Sequence, residues 1–118
     1  MAGLDRTLAT ITEQAGRLKE VRKRELNFGD WVVVTTRNST YSLRVLEGDR
    51  YSISGGWFDH EGLSPLRTTI AGCTWGGSAI KVDIVAACGL HLEFGNRVVT
   101  SVIQKVCVIP FGGECAIN

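Results

Sequence analysis

The sequence predicts a mainly β fold, a small antiparallel barrel or sandwich of about seven strands preceded by one N-terminal amphipathic α-helix. Three observations predict it: an apolar stripe with helical spacing before residue 27, β-branched runs of alternating polarity after residue 30, and glycine-containing turns between those runs. They divide the chain into an N-terminal helix at 1–26, a β-domain at 27–110 and a flexible tail at 111–118.

The N-terminal segment is predicted to be helical because its apolar residues recur every three or four positions. These residues are Leu4, Leu8, Ile11, Ala15 and Leu18. The helix is expected to end near Glu25, because Asn27-Phe28-Gly29-Asp30 favours a turn. The stripe has two candidate partners, the rest of the same chain or the same stripe of a second copy. The helix therefore either belongs to the β-domain or drives oligomerisation.

The segments after residue 30 are predicted as strands because they are rich in β-branched and aromatic residues and several alternate in polarity. They are residues 31–36, 41–46, 50–54, 68–75, 79–85, 90–94 and 97–109, the last either continuous or interrupted by a bulge. Gly48-Asp49 and Gly95-Asn96 are predicted hairpin turns, since glycine adopts the positive φ that such turns require. Residues 55–67 form the longest predicted irregular stretch.

The composition is that of a folded domain and not of a disordered or membrane-spanning chain. The chain has 118 residues, of which 44% are hydrophobic, and a formal net charge of +1. This apolar content and low charge argue against a disordered chain, and no apolar run approaches the ~20 residues that span a bilayer. The first residues lack the basic and then apolar pattern of a signal peptide. We therefore expect a soluble, cytoplasmic domain without a membrane partner.

The cysteines and the known motifs give no catalytic assignment. Cys73, Cys88, Cys107 and Cys115 form no C-x-x-C pair, and they are expected to be reduced, with Cys107 a small core residue. Phosphate-loop and nucleophile-elbow motifs are absent. A metal site built from Asp59, His60, Cys73, Cys88 and His91 is one hypothesis. No spacing requires it, so no metal ligand is assigned and no cofactor is named.

The main candidate binding site is the loop Trp57-Phe58-Asp59-His60-Glu61, where aromatic, carboxylate and imidazole groups meet on a segment not committed to strand pairing. The alternative is a plug, in which Trp57 and Phe58 fold back to close one end of the barrel. Arg37 lies in the polar connection 35–41 and could bind an anion, and Trp75 is either a core residue or a stacking platform. The predicted ligand-binding residues are Trp57, Asp59, His60, Trp75 and Arg37.

Three functions stay open on the sequence alone. The first is a non-catalytic, homo-oligomeric binding or assembly module that takes a small ligand. The second is a small enzyme or metal-dependent sensor in which Asp59 or Glu61 orients His60. The third is weak nucleic-acid binding through Arg17–Arg24, a basic cluster that equally suits a solvated helix end. The sequence favours the first, leans away from an enzyme and ranks nucleic acid last.

Overall fold

The computed structural model describes residues 20–75 and 79–111. In this part of the chain, ten strands form two antiparallel sheets without a closed barrel, so the mainly β prediction is confirmed and the predicted count of seven is too low. The strands are β1 Glu20–Arg22, β2 Trp31–Thr36, β3 Thr40–Val45, β4 Tyr51–Gly55, β5 Leu66–Thr68, β6 Ile70–Thr74, β7 Ile80–Lys81, β8 Ile84–Ala87, β9 His91–Phe94 and β10 Val99–Ile109. One short helix, α1 Gly56–His60, and one 3-10 turn, Lys23–Glu25, complete the elements.

Residues 20–25 are not α-helical, so the predicted helix is wrong over this part of the segment. They form β1 and the 3-10 turn, and β1 pairs with β8 as an antiparallel two-stranded sheet. Val21 is buried while its neighbours Glu20 and Arg22 are half-buried, which is the two-residue period of a strand. Pairing with β8 therefore replaces the last turns of the predicted helix, which had been expected to reach Glu25. The predicted helical stripe at residues 4–18 lies outside the described residues.

The larger sheet has the strand order β5-β4-β3-β2-β10-β9-β6-β7. Strand β10 pairs with β9 through its first half and with β2 through its second half, with register shifts that mark bulges. The segment Leu66–Thr74 behaves similarly, because β5 pairs with β4 and β6 pairs with β9. These two segments fold the sheet over, so that the Tyr41 ring on β3 lies 5.5 Å from the Phe94 ring on β9.

The core lies between the two halves of the folded sheet. On β2, β3 and β4 alternate residues are fully buried, and Val32, Leu43 and Ile53 have no exposed surface. Each such side chain contributes roughly 1.5–3 kcal/mol on burial. Strand β8 is buried along its whole length, because it packs against β6, β9 and β10 and is flanked by β1. The outward positions of β2–β5 and β10 are left as one continuous sheet face.

Both predicted hairpin turns are confirmed. Gly48 and Asp49 adopt φ values of 70° and 61° between β3 and β4, the positive φ that was expected there. Between β9 and β10 the turn is present, since the Phe94 amide donates to the Val98 carbonyl at 2.9 Å, but the positive φ of 72° belongs to Arg97 and not to Gly95 as expected. These turns fix the register of each hairpin and hence which side chains face outward.

Three local predictions are wrong. The stretch 55–67 is not wholly irregular, since it contains α1 and β5, and residues 79–85 are divided between β7 and β8. Cys107 is partly exposed on the outer side of β10, opposite Val33, whereas Cys73 is the buried one of the three cysteines in the described residues. The alternation of β10 explains this, because Val106 occupies the inward position beside it. Among the described residues, no helix has the length and apolar character needed to cross a bilayer.

Candidate binding groove

Two consecutive glycines place α1 against β3. Gly55 and Gly56 have positive φ values of 99° and 46°, which L side chains rarely adopt. A Cβ on Gly55 would collide with the Thr40 carbonyl oxygen, and a Cβ on Gly56 would collide with the Tyr41 ring. Because both positions are occupied by glycine, the chain can turn sharply from β4 into α1, and α1 can pack directly on β3.

Phe58 closes this end of the folded sheet. Its side chain has no exposed surface, and its ring packs edge to face on Phe94 at 4.8 Å and on Tyr41 at 6.2 Å. Trp57 contacts Phe58 edge to face at 5.1 Å but stays 37% exposed. Phe58 thus folds back into the core, as the plug alternative predicted for both aromatic residues, whereas the Trp57 indole is exposed to solvent at the rim.

Asp59 stabilises the loop internally. Its carboxylate accepts a 3.0 Å hydrogen bond from the Gly55 amide and another from the Ser64 hydroxyl, and these bonds lower the pKa of the carboxyl below its ordinary value. The Gly62 and Leu63 amides donate to the Asp59 and Phe58 carbonyls, which ends α1. Asp59 therefore stays ionised at neutral pH and ties together the two ends of the loop.

The exposed side of α1 borders an open groove of about 470 Å³. Its other walls are the turn between β2 and β3 and the first residues of β10. The lining residues are Asn38, Ser39, Tyr41, Gly56, Trp57, His60, Val98, Val99 and Ser101. None of these side chains is a carboxylate, a lysine or an arginine. The groove therefore combines one indole and two valines with neutral hydrogen-bonding groups.

Hydrogen bonds hold the opposite wall of the groove in place. The backbone amide of Asn38 donates to Ser101 Oγ at 3.0 Å, and the Ser101 hydroxyl donates to Thr36 Oγ1 at 2.9 Å. The Thr36 hydroxyl in turn donates to the Ser39 carbonyl at 3.0 Å. Within the described residues, the Asn38 side-chain amide has no hydrogen-bond partner. That side-chain amide can therefore bind a ligand, and the hydrogen bonds above hold the turn that carries it.

The structure brings together some predicted site residues and separates others. Trp57 and His60 line the groove, and Asp59 supports it from within the loop. Arg37 lies beside the groove, and its backbone amide donates to the Val102 carbonyl at 2.9 Å, but it is not a lining residue. Trp75 lies elsewhere, after β6, with Lys81 Nζ 5.4 Å from its ring centroid.

The sequence did not predict which residues form the other walls of the groove. Asn38 and Ser39 belong to the polar connection that was singled out for Arg37, yet nothing in the sequence joins that connection to the Trp57 loop. Val98, Val99 and Ser101 lie in the predicted return strand. Only the placement of β10 beside β2 brings these residues to the indole.

The described residues hold no cluster of metal ligands, and their buried cysteine is not an activated nucleophile. No group of three or more His, Cys, Asp or Glu side chains there is arranged to hold a metal ion. Burial raises the pKa of the Cys73 thiol to about 12, so the thiol is neutral at physiological pH. His91 Nδ1 lies 2.8 Å from the Thr100 carbonyl, which only accepts, so that nitrogen carries a proton.

The described part of the basic N-terminal cluster is engaged in structural contacts. Arg22 forms an ion pair with Glu20 at 3.0 Å and lies 3.9 Å from Asp83. Lys23 Nζ donates to the Ile70 carbonyl at 2.7 Å and lies 3.9 Å from Asp49. These contacts tie β1 and the 3-10 turn to the sheet, which leaves Arg24 as the exposed cation of this stretch.

Comparison with known proteins adds no relationship. No protein-family model, no curated protein sequence and no solved structure matches this chain.

Proposed function

We propose that this chain is a non-catalytic binding module and that the groove beside Trp57 is its ligand site. The observation that carries the proposal is a half-exposed indole facing an ordered polar turn across an open groove of about 470 Å³. That volume lies within the range of about 300–1,000 Å³ that is typical of small-molecule sites. The groove lies at the end of a rigid sheet, where loops carry binding residues.

The lining favours a neutral ligand with one apolar face and several hydroxyl groups, such as a sugar ring. Trp57 and Val99 offer apolar surface, and Val99 is 48% exposed. The Asn38 side chain supplies both a donor and an acceptor. A charged ligand would find no carboxylate, lysine or arginine among the lining residues. Neutral hydrogen bonding with apolar stacking is therefore the chemistry that this groove offers.

An enzymatic function has less support from the same residues. The Asp59 carboxylate is hydrogen-bonded to Gly55 and Ser64, and adjacent helical residues do not face each other, so Asp59 is poorly placed to orient His60. The Cys73 thiol is buried and protonated. These observations weaken the second hypothesis for Asp59 and for Cys73.

NMR of the isotopically labelled full chain tests the proposal. Glucose, galactose and N-acetylglucosamine, each added at millimolar concentration, are expected to shift the Trp57 indole N–H and the Asn38 side-chain amide. Trp57→Ala should abolish the Asn38 shift, and Trp75→Ala is the matched control because Trp75 is 56% exposed but does not line the groove. The absence of shifts with all three sugars, or equal loss in both variants, contradicts the proposal.

Self-association through the stripe at residues 4–18 stays a prediction. The sheet edge supplies a separate reason to test it, because Trp75, Ile80 and Val82 are 56%, 37% and 62% exposed at and beside β7. Exposed apolar edge strands favour pairing with another chain. Light scattering of the full chain, of a variant lacking residues 1–18 and of Val82→Lys distinguishes the two routes. A monomer in the full chain contradicts both.

A further inference from the structure

The outer side of the folded sheet concentrates positive charge. Strands β2–β5 and β10 contain Arg44, Arg67 and Lys105 but no aspartate or glutamate. Across the rest of the described residues, seven lysines and arginines meet nine aspartates and glutamates. We call the outward side chains of these five strands the basic face. They include Trp31, Thr35, Thr40, Ser42, Arg44, Ser52, Ser54, Arg67 and Lys105.

Strand register arranges part of this face as a straight row. Directly paired residues on five successive strands are, in spatial order, Arg67, Ser52, Arg44, Trp31 and Ile109. Adjacent strands lie about 4.8 Å apart, so the row is roughly 19 Å long. Two guanidinium groups, a hydroxyl group and an indole therefore follow one another across the sheet, perpendicular to the strands.

The indole in this row is available for stacking. Trp31 is 36% exposed, and the Arg44 guanidinium carbon lies 5.5 Å from its ring centroid. A guanidinium and an indole together make a flat cationic surface, on which a planar aromatic ligand can stack. In the described part of the chain, Arg44, Arg67 and Lys105 form no ion pair. Their charges are not neutralised by neighbouring carboxylates.

A second open groove of about 480 Å³ includes Arg67 in its lining and lies where β3 ends and β4 begins. Its lining residues are Phe28, Leu46, Glu47, Arg50 and Arg67. Phe28 is 57% exposed, so this groove adds a second aromatic ring, and Arg50 adds a third arginine. Glu47 is its one lining carboxylate. The groove therefore places aromatic and cationic side chains next to the row that ends at Trp31 and Ile109.

We propose that the basic face binds single-stranded nucleic acid, with the phosphates on Arg44, Arg67 and Lys105 and bases stacked at Trp31 and Phe28. A positively charged surface with exposed aromatic rings is the arrangement that binds unpaired bases without sequence preference. Duplex DNA or an anionic membrane would use the charges but would leave the two rings unused. The site is separate from the neutral groove beside Trp57 and does not depend on it.

Fluorescence anisotropy of a labelled oligothymidylate of roughly a dozen nucleotides, titrated with the full chain at several salt concentrations, tests the proposal. Arg44→Gln with Arg67→Gln should weaken binding at least about tenfold and reduce the salt slope by about 0.7 for each lost contact. Arg97→Gln with Lys81→Gln removes the same charge away from the face and should change affinity less than about twofold. Circular dichroism confirms that each variant is folded.

A second pair of variants tests the stacking. Trp31→Leu should weaken binding about tenfold, and Trp31→Phe should restore most of it, because phenylalanine keeps a ring face. No binding at low salt would overturn the proposal. Equal losses in the two charge variants would also overturn it. So would tighter binding of a duplex or of phosphatidylserine vesicles that is insensitive to Trp31→Leu, because it would show a general anionic surface.

Discussion

The groove beside Trp57 and the basic face belong to the same folded sheet but differ in how they are built. The groove is formed by short segments at one end of the strands, and its lining is neutral. The basic face is formed by the outward side chains of five strands, and its charged members are all cations. One sheet therefore presents two surfaces suited to different ligands, an uncharged ring and a polyanion.

The two surfaces also depend differently on the core. The groove rests on Phe58, which sits between Tyr41 and Phe94. The basic face rests on the backbone ladder, because its residues are the outward members of strands whose inward members are buried. Damage to the core near α1 should therefore affect the groove first, while the face should persist as long as the strands pair.

The largest expected effect comes from Phe58→Ala. Removing this fully buried ring should lower the free energy of unfolding by about 3–5 kcal/mol. Trp57→Ala, next to it but 37% exposed, should cost less than about 1 kcal/mol. Urea denaturation measures both. Similar losses in the two variants would show that Trp57, and not Phe58 alone, supports the core.

A smaller effect is expected at the glycine that seats α1. Gly56→Ala combines a positive φ with a collision against the Tyr41 ring. Gly62→Ala is the matched control, because Gly62 also has a positive φ of 70° but no atom lies within 4 Å of its would-be Cβ. We expect about 1 kcal/mol of destabilisation for Gly62→Ala. Gly56→Ala should lose roughly 1–3 kcal/mol more. Equal losses would mean that the loop moves away from Tyr41 at little cost.

The sequence predicted what adjacent residues determine. The alternation of 31–36 and 41–46 and the turn at Gly48-Asp49 indicated the β2–β4 region, and the Trp57 loop was visible because its side chains are consecutive. The basic face was not visible, because Arg44, Arg67 and Lys105 are separated by more than twenty residues each and meet only through register. β1 was missed because the predicted helix was extended from the stripe at 4–18 to the turn at 27–30, and the strand partner of residues 20–22 is the distant β8.

Alkaline pH tests the core that both surfaces share. Burial raises the pKa of Cys73 from 9.0 to about 12 and that of Tyr51 from 10.0 to about 12. The unfolded chain therefore loses these protons first, and stability is present below pH 9 and declines as pH rises toward 12. Between pH 9 and 10 the loss attributable to Cys73 approaches about 1.4 kcal/mol per pH unit. Urea midpoints measured for wild type and Cys73→Ala check this, and an equally steep decline in both contradicts it.

The smallest expected effect is a change in oligothymidylate affinity that distinguishes the two surfaces and leaves the core unchanged. Among the described residues, Glu47 is the one carboxylate that lines the groove beside Arg67, and its charge repels a bound phosphate. Glu47→Gln should therefore tighten oligothymidylate binding about two- to fivefold, the size of an exposed charge interaction, and the gain should shrink at high salt. Glu61→Gln, an equal charge change beside the neutral groove, should leave that affinity within about twofold. Because both substitutions alter net charge equally, a gain limited to Glu47→Gln would place the polyanion at the Phe28 end of the basic face. Equal gains would instead reflect the overall charge of the chain.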